Sequence, residues 1–232
     1  MRSPFIRGMA QGVPIMLGYL SVSFGFGIAA VRMGVSPAAA VAISAFNLTS
    51  AGQAAGIEII AAGGALMEMA LTQLVINLRY ALMGVSLSQK LDGTFNTPRR
   101  LLVAYGITDE IYAVAISRPE PLTAHYMYGL ILTPLIGWTA GTALGAMAGK
   151  LLPQTVTDAM GIVLYGMFLA IVVPAARKER QVLCVVLLAA ACSAGFRYLL
   201  PGVSGGFAVI LSAMAAAVAG ALLFPVTEEE KA

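Results

Sequence analysis

The chain has 232 residues, of which 59% are hydrophobic and 11% are charged, and its formal net charge is +3. A soluble domain carries roughly 25% charged residues, so the composition excludes an ordinary soluble protein. Each membrane-spanning helix needs about 20 apolar residues, so the length allows at most about seven or eight crossings and no separate soluble domain. The basic residues lie mainly between apolar runs, where they set topology rather than bind nucleic acid.

Apolar runs follow one another along the chain, separated by short polar or glycine- and proline-containing turns. They cover roughly residues 10–31, 37–62, 71–87, 101–117, 124–149, 157–176, 181–200 and 204–225. Runs of this kind are typical of membrane helices, so the sequence predicts an all-α polytopic membrane protein. We expect a single transmembrane domain over 1–232, with a polar-site half at about 8–117 and a helix-packing half at about 118–225.

The run Leu71–Leu87 is apolar enough to cross a bilayer but carries Gln73, Asn77 and Arg79. An arginine is costly in hydrocarbon, so it should face a bundle interior, a wet cavity or a buried partner. Gln73 and Asn77 share one helical face with Tyr80. We interpret this helix as part of a polar site. In the alternative interpretation, Arg79 reaches the headgroups from a helix end and the amides join neighbouring helices.

The run 37–62 is apolar at its ends and polar in its middle, SAFNLTSAGQAAGIEI. Such a density of polar groups favours a discontinuous or re-entrant helix around a cavity, and Gly52 and Gly56 would loosen it. An ordinary helix with a polar interior face is the alternative. The candidate binding residues in this segment are Asn47, Ser50 and Gln53.

The run 101–117 is short for a span and has Asp109 and Glu110 at its centre, followed by Tyr112. Adjacent carboxylates at membrane depth indicate a functional site. Alternatively, Thr108 caps a helix whose first turn contains both carboxylates. Both interpretations hold if a half-helix begins inside the membrane.

The second half of the chain is less polar and carries a strict four-residue glycine repeat. A repeat of this kind forms a smooth face for close helix packing, and its members are Gly137, Gly141, Gly145 and Gly149. The single histidine, His125, is more typical of a loop or interface residue than of a proton relay. Cys184 and Cys192 lie about 12 Å apart along one helix, too far to form a disulfide.

The distribution of Lys and Arg favours two segments that do not cross the membrane. If 37–62 and 101–117 each enter and leave on one side, most basic residues share the side of the N-terminus. If both cross fully, the basic residues divide almost evenly. Because cytoplasmic loops are enriched in Lys and Arg, we expect about six full transmembrane helices and two broken or re-entrant polar segments, with eight full spans as the alternative. Both arrangements put the two termini in the cytoplasm.

Several features carry a family resemblance. In order they are the Gly/Pro-rich first helix GVPIMLGYLSVSFGFGIA, the small-residue stretch ending in Gln53, Asn77-Leu78-Arg79, and Thr108-Asp109-Glu110 followed by Tyr112. In these residues the chain resembles the AzlC family of branched-chain amino-acid permeases, over about residues 8–115. One departure precedes Gln53, where Leu48-Thr49-Ser50 replaces the family's usual aromatic-Ala-Gly stretch. Polar groups at this place suit substrates other than leucine or valine as well.

The resemblance implies a transporter in the bacterial cytoplasmic (inner) membrane that exports branched-chain amino acids. It also implies a partner, a small AzlD-like membrane subunit of four helices. The glycine repeat of the run 124–149 is a candidate docking surface for that subunit or for a second copy of the chain.

An amino acid offers a carboxylate, an ammonium group and an apolar side chain. Arg79 has a planar fork of donors suited to the carboxylate. The backbone N–H groups at the start of a broken helix are a second group that suits it. Asp109 and Glu110 suit the ammonium group or proton uptake, so we expect proton coupling there. The remaining candidate substrate-binding residues are Asn47, Ser50, Gln53, Gln73, Asn77 and Tyr112.

Other classes of function fit the sequence less well. No G-x-x-x-x-G-K-[ST] motif is present, so the expected energy source is the proton gradient. We expect no enzyme, cofactor or metal site, because adjacent carboxylates diverge by about 100° on a helix and no serine–histidine or metal cluster accompanies them. A channel or pore for a small solute is one alternative. A non-transporting assembly subunit, whose polar groups join helices, is another.

Overall fold

The computed structural model describes residues 3–149 and 172–225, and the single positions 153, 155, 166 and 169. Its helices are α1 (Pro4–Arg32), α2 (Pro37–Phe46), α3 (Ser50–Ala61), α4 (Leu66–Ser88), α5 (Thr97–Tyr105), α6 (Asp109–Ile116), α7 (Ala124–Ala148), α8 (Arg180–Leu199) and α9 (Gly205–Leu223). Residues 172–178 are also helical. The all-α prediction is confirmed. Within the described residues, five helices, α1, α4, α7, α8 and α9, are long and apolar enough to cross a membrane. Most of the sixth predicted span, 157–176, lies outside the described residues.

Both segments that the sequence predicts to be interrupted are interrupted. The second run divides into α2 and α3 at residues 47–49, and the fourth into α5 and α6 at residues 106–108. Gly52 and Gly56, which are expected to loosen the second run, both lie inside α3, so the break itself falls before them. The breaks occur where Asn and Thr side chains compete with the helical backbone for hydrogen bonds. Thr108 accepts a hydrogen bond from the N–H of Ile111 and caps α6, so the capping interpretation of this segment also holds.

Helices α1 and α7 pack directly, backbone on backbone, over most of their length. A Cβ atom at Gly137, Gly141 or Gly145 would overlap the backbone of α1, near Met16, Leu20 and Phe24 respectively. The residue numbers of the contacting positions increase together along the two helices, so α1 and α7 are parallel. We call this contact the glycine seam. The candidate docking surface on the glycine repeat is thus already covered by α1 of the same chain. Gly149, the last member of the repeat, follows α7 as its C-cap.

One end of this helix pair gathers several loops. Arg7 of α1 lies 3.7 Å from Glu120, which precedes α7. The loop after α4 reaches the same place, since Lys90 donates a hydrogen bond to the carbonyl of Ile116 at 2.6 Å and Leu122 donates one to the carbonyl of Lys90 at 2.8 Å. We call this end of the helix pair, where α1 begins, the near end. The opposite end, where α1 ends, is the far end. Because α4 finishes at the near end, where α1 begins, it runs antiparallel to α1.

Helices α5 and α6 form a hairpin that begins and ends at the near end. At its tip, Thr108 lies 2.7 Å from the hydroxyl of Tyr19, which is halfway along α1. Gly106, also at the tip, lies against Ile131 of α7. With 9 and 8 residues, the two helices are each about 12–14 Å long, roughly half of a bilayer core. The hairpin therefore enters to mid-depth and returns.

Helices α2 and α3 form the complementary hairpin from the far end. Val35, just after α1, shares a buried cluster with Phe26, Ala30 and Ile57 of α3, so the hairpin returns to the depth at which it began. Its tip residue Leu48 packs with Tyr19 and Trp138. Two hairpins that enter from opposite ends and meet at mid-depth agree with the predicted non-crossing segments. The arrangement does not support eight plain spans.

The chain divides into two compact units. One contains the described residues of Met1–Ile57 and Asn77–Leu164, and with them both hairpins and the glycine seam; the other contains those of Glu58–Ile76 and Tyr165–Ala232. In the second unit, α8 packs on α9. The buried carboxylate of Glu68 accepts hydrogen bonds there from Ser204 Oγ at 2.5 Å and from the N–H of Gly206 at 3.0 Å, which satisfies the first turn of α9. Cys184 and Cys192 of α8 are free.

Candidate functional site

The hydroxyl of Tyr19 joins α1 to the tip of the α5–α6 hairpin. It lies 2.5 Å from Glu110 Oε2 and 2.7 Å from Thr108 Oγ1. The ring packs edge-on against Trp138 of α7, with centroids 5.2 Å apart. Since Leu48 belongs to the same cluster, Tyr19 contacts the tips of both hairpins. A hydrogen bond between the hydroxyl of Tyr105 and the carbonyl of Ala45 also links them directly.

Arg79 and Asp109 form an ion pair at the first residue of α6. Arg79 Nη1 lies 2.7 Å from Asp109 Oδ2, and the two side chains are 42% and 39% exposed. The guanidinium also donates to the hydroxyl of Tyr80 at 3.3 Å and lies over its ring, 5.0 Å from the centroid. Because the pair is only half buried, its partners can be exchanged for water or a solute at moderate cost.

Neutral polar groups connect the tip of the α2–α3 hairpin to α4. The hydroxyl of Thr49 donates to Asn77 Oδ1 at 2.7 Å and accepts from the hydroxyl of Tyr80 at 3.5 Å. Asn77, Arg79 and Tyr80 thus bring one turn of α4 against both tips.

A second set of neutral groups anchors the same hairpin to α7 and is fully buried. Trp138 Nε1 donates to Gln53 Oε1 at 2.8 Å, and Gln53 Nε2 donates to Ser44 Oγ at 3.0 Å. Ser44 Oγ lies 2.7 Å from Thr142 Oγ1. The network satisfies its buried polar atoms with neutral partners, so it fixes the α2–α3 hairpin to α7.

Two helices begin at the tips, which gives the site a positive backbone potential. Helix α6 starts with Asp109 and Glu110, whose carboxylates suit its N-terminus. Helix α3 starts at Ser50 and has no acidic residue in its first turn. A helix N-terminus favours an anion, so the α3 terminus and Arg79 are the two places in this region that attract a carboxylate. No group of three or more His, Cys, Asp or Glu among the described residues could hold a metal ion.

The structure gathers most of the predicted site residues and separates others. Arg79 and Asp109 contact each other directly, whereas Asn77 contacts Thr49 and Glu110 contacts Tyr19 at the tips. Gln53 is hydrogen-bonded to Trp138 and Ser44. Asn47 and Ser50 border the α2–α3 break. Tyr112 packs in the hydrophobic core, with its hydroxyl 3.0 Å from Ser86 Oγ. Gln73 contacts Met69 on its own helix and belongs to the second unit.

Sequence reasoning missed Tyr19, Ser44, Trp138 and Thr142 as site residues and gave Thr108 only a capping role. Tyr19 stands in an apolar, glycine-rich helix and Thr142 in the glycine repeat, where nothing local marks them. Trp138 is the single tryptophan of the chain. Since a buried indole N–H usually finds an acceptor, its position beside the repeat was the one available signal.

Comparison with known proteins identifies the family of the chain. The AzlC protein family matches residues 14–152, which include both hairpins and the seam. The inner membrane protein YgaZ of Escherichia coli is 30% identical over 82% of this chain and 80% of its own length. An uncharacterized membrane protein of Archaeoglobus fulgidus is 31% identical, covering 73% of this chain and 75% of its own.

A relative with a named transport role is more distant. The branched-chain amino acid transport protein AzlC of Bacillus subtilis is 24% identical over 73% of this chain and 66% of its own length. No solved structure gives a significant match. The extent of the family match, together with the apolar helices and the similarity to YgaZ, leads to one conclusion: the chain is a membrane protein of the AzlC family.

Proposed function

We propose that the chain is the larger subunit of a secondary transporter that exports branched-chain or similar amino acids from the cytoplasm. The observation that carries the proposal is the half-exposed Arg79–Asp109 pair where two half-length hairpins meet at mid-depth. Discontinuous helices that expose backbone and polar groups at the midplane are a common way for secondary transporters to bind substrate. The distant similarity to a branched-chain amino acid transport protein supports the same class of substrate.

Binding would proceed by exchange of carboxylates. The substrate's carboxylate takes the place of Asp109 on the guanidinium of Arg79, which offers a planar fork of donors. The released Asp109 then pairs with the substrate's ammonium group or takes up a proton. Thr49 and Asn77, which are hydrogen-bonded to each other beside Arg79, orient the substrate. Exchange of one ion pair for another avoids an unpaired charge at membrane depth, which would be costly.

Direction, coupling and assembly complete the proposal. The near end carries Arg7, Lys90, Arg99, Arg100 and Arg118, so the positive-inside rule favours a cytoplasmic near end and with it a cytoplasmic N-terminus. A cytoplasmic C-terminus follows from the six full spans that the sequence predicts. Proton uptake by Asp109 or Glu110 would couple export to the proton gradient. The small AzlD-like subunit would bind outside the glycine seam, because α1 occupies that face.

The test is efflux of leucine and valine from preloaded cells that lack their own exporters. The chain is expressed alone, with the small subunit, and with the subunit plus an uncoupler. We expect efflux that needs both chains and is abolished by the uncoupler. Counterflow then separates a carrier from a pore, since saturable exchange of labelled for unlabelled leucine is expected of a carrier alone.

Two results would contradict the proposal. Absence of leucine and valine efflux, with both chains verified in the membrane, would remove the substrate assignment. Efflux that does not saturate would instead favour the pore. Efflux that persists with the uncoupler would overturn proton coupling but leave the transporter assignment in place.

A further inference from the structure

An open cavity of about 490 Å³ lies at the near end, separate from the hairpin tips. The polar residues that line it are Arg7, Gln11, Ser117, Arg118 and Glu120. Gln11 is two helical turns before Tyr19 on α1, and Ala113, which also lines the cavity, is about one turn after Glu110 on α6. The cavity therefore lies between the near-end surface and the Tyr19–Glu110 contact. Its volume is within the range of small-molecule sites, about 300–1,000 Å³.

The guanidinium of Arg118 is held firmly in this cavity. It lies over the ring of Tyr126, 4.1 Å from the centroid. The backbone that carries it is fixed as well, because Lys90 Nζ donates hydrogen bonds to the carbonyls of Ile116 and Arg118. The Arg118 side chain is 14% exposed, against 50% for Glu120. A buried, stacked arginine keeps its donors in a fixed direction, which favours recognition of a planar anion.

Glu120 covers the donor edge of Arg118. Nε donates to Glu120 Oε2 at 2.8 Å, and Nη2 donates to the same oxygen. Nη1 is buried and has no hydrogen-bond partner among the described residues. Hydrogen bonds from Arg118 lower the pKa of the Glu120 carboxyl, and the nearby charge of Arg7 adds to the effect. Glu120 is therefore ionised at neutral pH, and a substitution rather than a pH change is needed to remove its charge.

The local charge favours a second anion. Among the residues that line the cavity, Arg7 and Arg118 share one carboxylate, that of Glu120. Glu120 lies in an exposed loop and can turn away into water. A single oxygen of Glu120 serves two donors, whereas a fork-to-fork pair would use two oxygens. An incoming carboxylate can therefore make better hydrogen bonds with Arg118 than Glu120 does.

We propose that this cavity is an outer binding site for the carboxylate of the transported amino acid, which displaces Glu120 from Arg118 before it reaches Arg79. The proposal rests on the transport function proposed above. It makes Glu120 a competitor for the site rather than a ligand of the substrate. Removal of the arginine and removal of the carboxylate should then change substrate affinity in opposite directions, which a purely structural ion pair would not do.

The experiment measures leucine uptake into inside-out vesicles that contain the chain and its small subunit, at a series of leucine concentrations. Arg118→Gln is expected to raise KM about tenfold, as loss of a charge-assisted hydrogen bond would, with Vmax within about twofold. Glu120→Gln is expected to lower KM about threefold. Arg180→Gln is the control, because this exposed arginine of α8 lies outside the cavity. If Arg118→Gln is poorly inserted, Arg7→Gln replaces it, since Arg7 is exposed and its ion pair to Glu120 is long, at 3.7 Å.

Three outcomes would overturn the proposal. An unchanged KM in Arg118→Gln or Arg7→Gln would show that the cavity takes no part in substrate binding. A rise of KM in Glu120→Gln equal to that in Arg118→Gln would indicate a structural ion pair. An effect of Arg118→Gln that appears with phosphatidylglycerol in the vesicles, but not with phosphatidylethanolamine alone, would assign the cavity to a lipid headgroup. Failure of the wild-type protein to transport leucine would instead contradict the proposed function itself.

Discussion

The two hairpins share a plan and differ in chemistry. Each consists of two short helices with a three-residue break at mid-depth, at residues 47–49 and 106–108. The α2–α3 hairpin is fastened by neutral groups, Gln53 with Trp138 and Ser44, all of them buried. The tip of the α5–α6 hairpin carries two carboxylates, and its ion pair is about 40% exposed.

The difference indicates that one hairpin has a structural role and the other a role in binding. A buried neutral network must keep every partner, because an unsatisfied polar atom costs about 1–3 kcal/mol, so the α2–α3 hairpin is a fixed part of the structure. A half-exposed ion pair can change partners at little cost. The half-exposed pair at the α5–α6 tip therefore supports our proposal that substrate and protons are exchanged there. Three substitutions can break or sharpen this comparison.

The largest effect is expected from Arg79→Ala, which removes the cation of the charged tip. Transport should fall at least about 100-fold, because the substrate's carboxylate loses its fork and Asp109 loses its partner, together worth about 3 kcal/mol or more. The amount of protein in the membrane should not change, because Asp109 is 39% exposed and can be hydrated or take up a proton once its partner is removed. Efflux assays and quantitation of membrane protein measure the two quantities.

Arg180→Ala on α8 is the matched control and should transport normally. Arg79→Lys keeps the charge without the fork, so intermediate transport is expected. Wild-type flux in Arg79→Ala would show that the charged tip is a structural contact like its neutral counterpart.

A smaller effect, on stability, is expected from Gln53→Leu at the neutral tip. The N–H of Trp138 and the hydroxyl of Ser44 lose a buried partner, so the protein should be destabilised by roughly 1–3 kcal/mol. Thermal unfolding in detergent measures this loss. The double variant Gln53→Leu with Trp138→Phe removes both partners and should cost less than the sum of the single changes.

Gln181→Leu makes the same chemical change at an exposed position of α8 and should leave stability unaltered. A Gln53→Leu variant of normal stability that cannot transport would contradict the assignment of a purely structural role to this tip.

The smallest effect is expected from Tyr19→Phe, which removes the hydroxyl shared by Glu110 and Thr108 but keeps the ring against Trp138. Loss of this one link should slow transport about tenfold, equivalent to about 1.4 kcal/mol. The rate is measured at saturating substrate, with Tyr198→Phe as the control because Tyr198 is exposed. An unchanged rate would mean that Tyr19 acts through its ring alone.

The sequence reveals the interrupted helices because their evidence is local. Dense polar residues within an apolar run, as around Asn47 and Asp109, are incompatible with a plain lipid-facing helix. Pairing across the chain leaves no such mark. Tyr19 and Glu110 are 91 positions apart, and a tyrosine in an apolar helix fits lipid, core or site equally well.

The glycine repeat shows the same limit. Its spacing predicts close packing but contains nothing that distinguishes α1 of the same chain from a second protein. The sequence suggests one shared role for the two adjacent carboxylates. In the structure Asp109 pairs with Arg79, whereas Glu110 accepts a hydrogen bond from Tyr19. Adjacent residues on a helix point about 100° apart, but which neighbour each one meets is decided by tertiary packing.

The glycine seam also limits where a solute can permeate. At Gly141 and Gly145 the backbones of α1 and α7 are in direct contact, so no water molecule, acyl chain or amino acid fits between the two helices. A permeation path therefore cannot run between α1 and α7, and the path that we propose follows the faces of this pair at which Tyr19 and Trp138 meet Leu48 of the hairpin tip. The glycine seam therefore closes the space between α1 and α7. A label or inhibitor that reaches the path should react near the hairpin tips and not at the glycine seam.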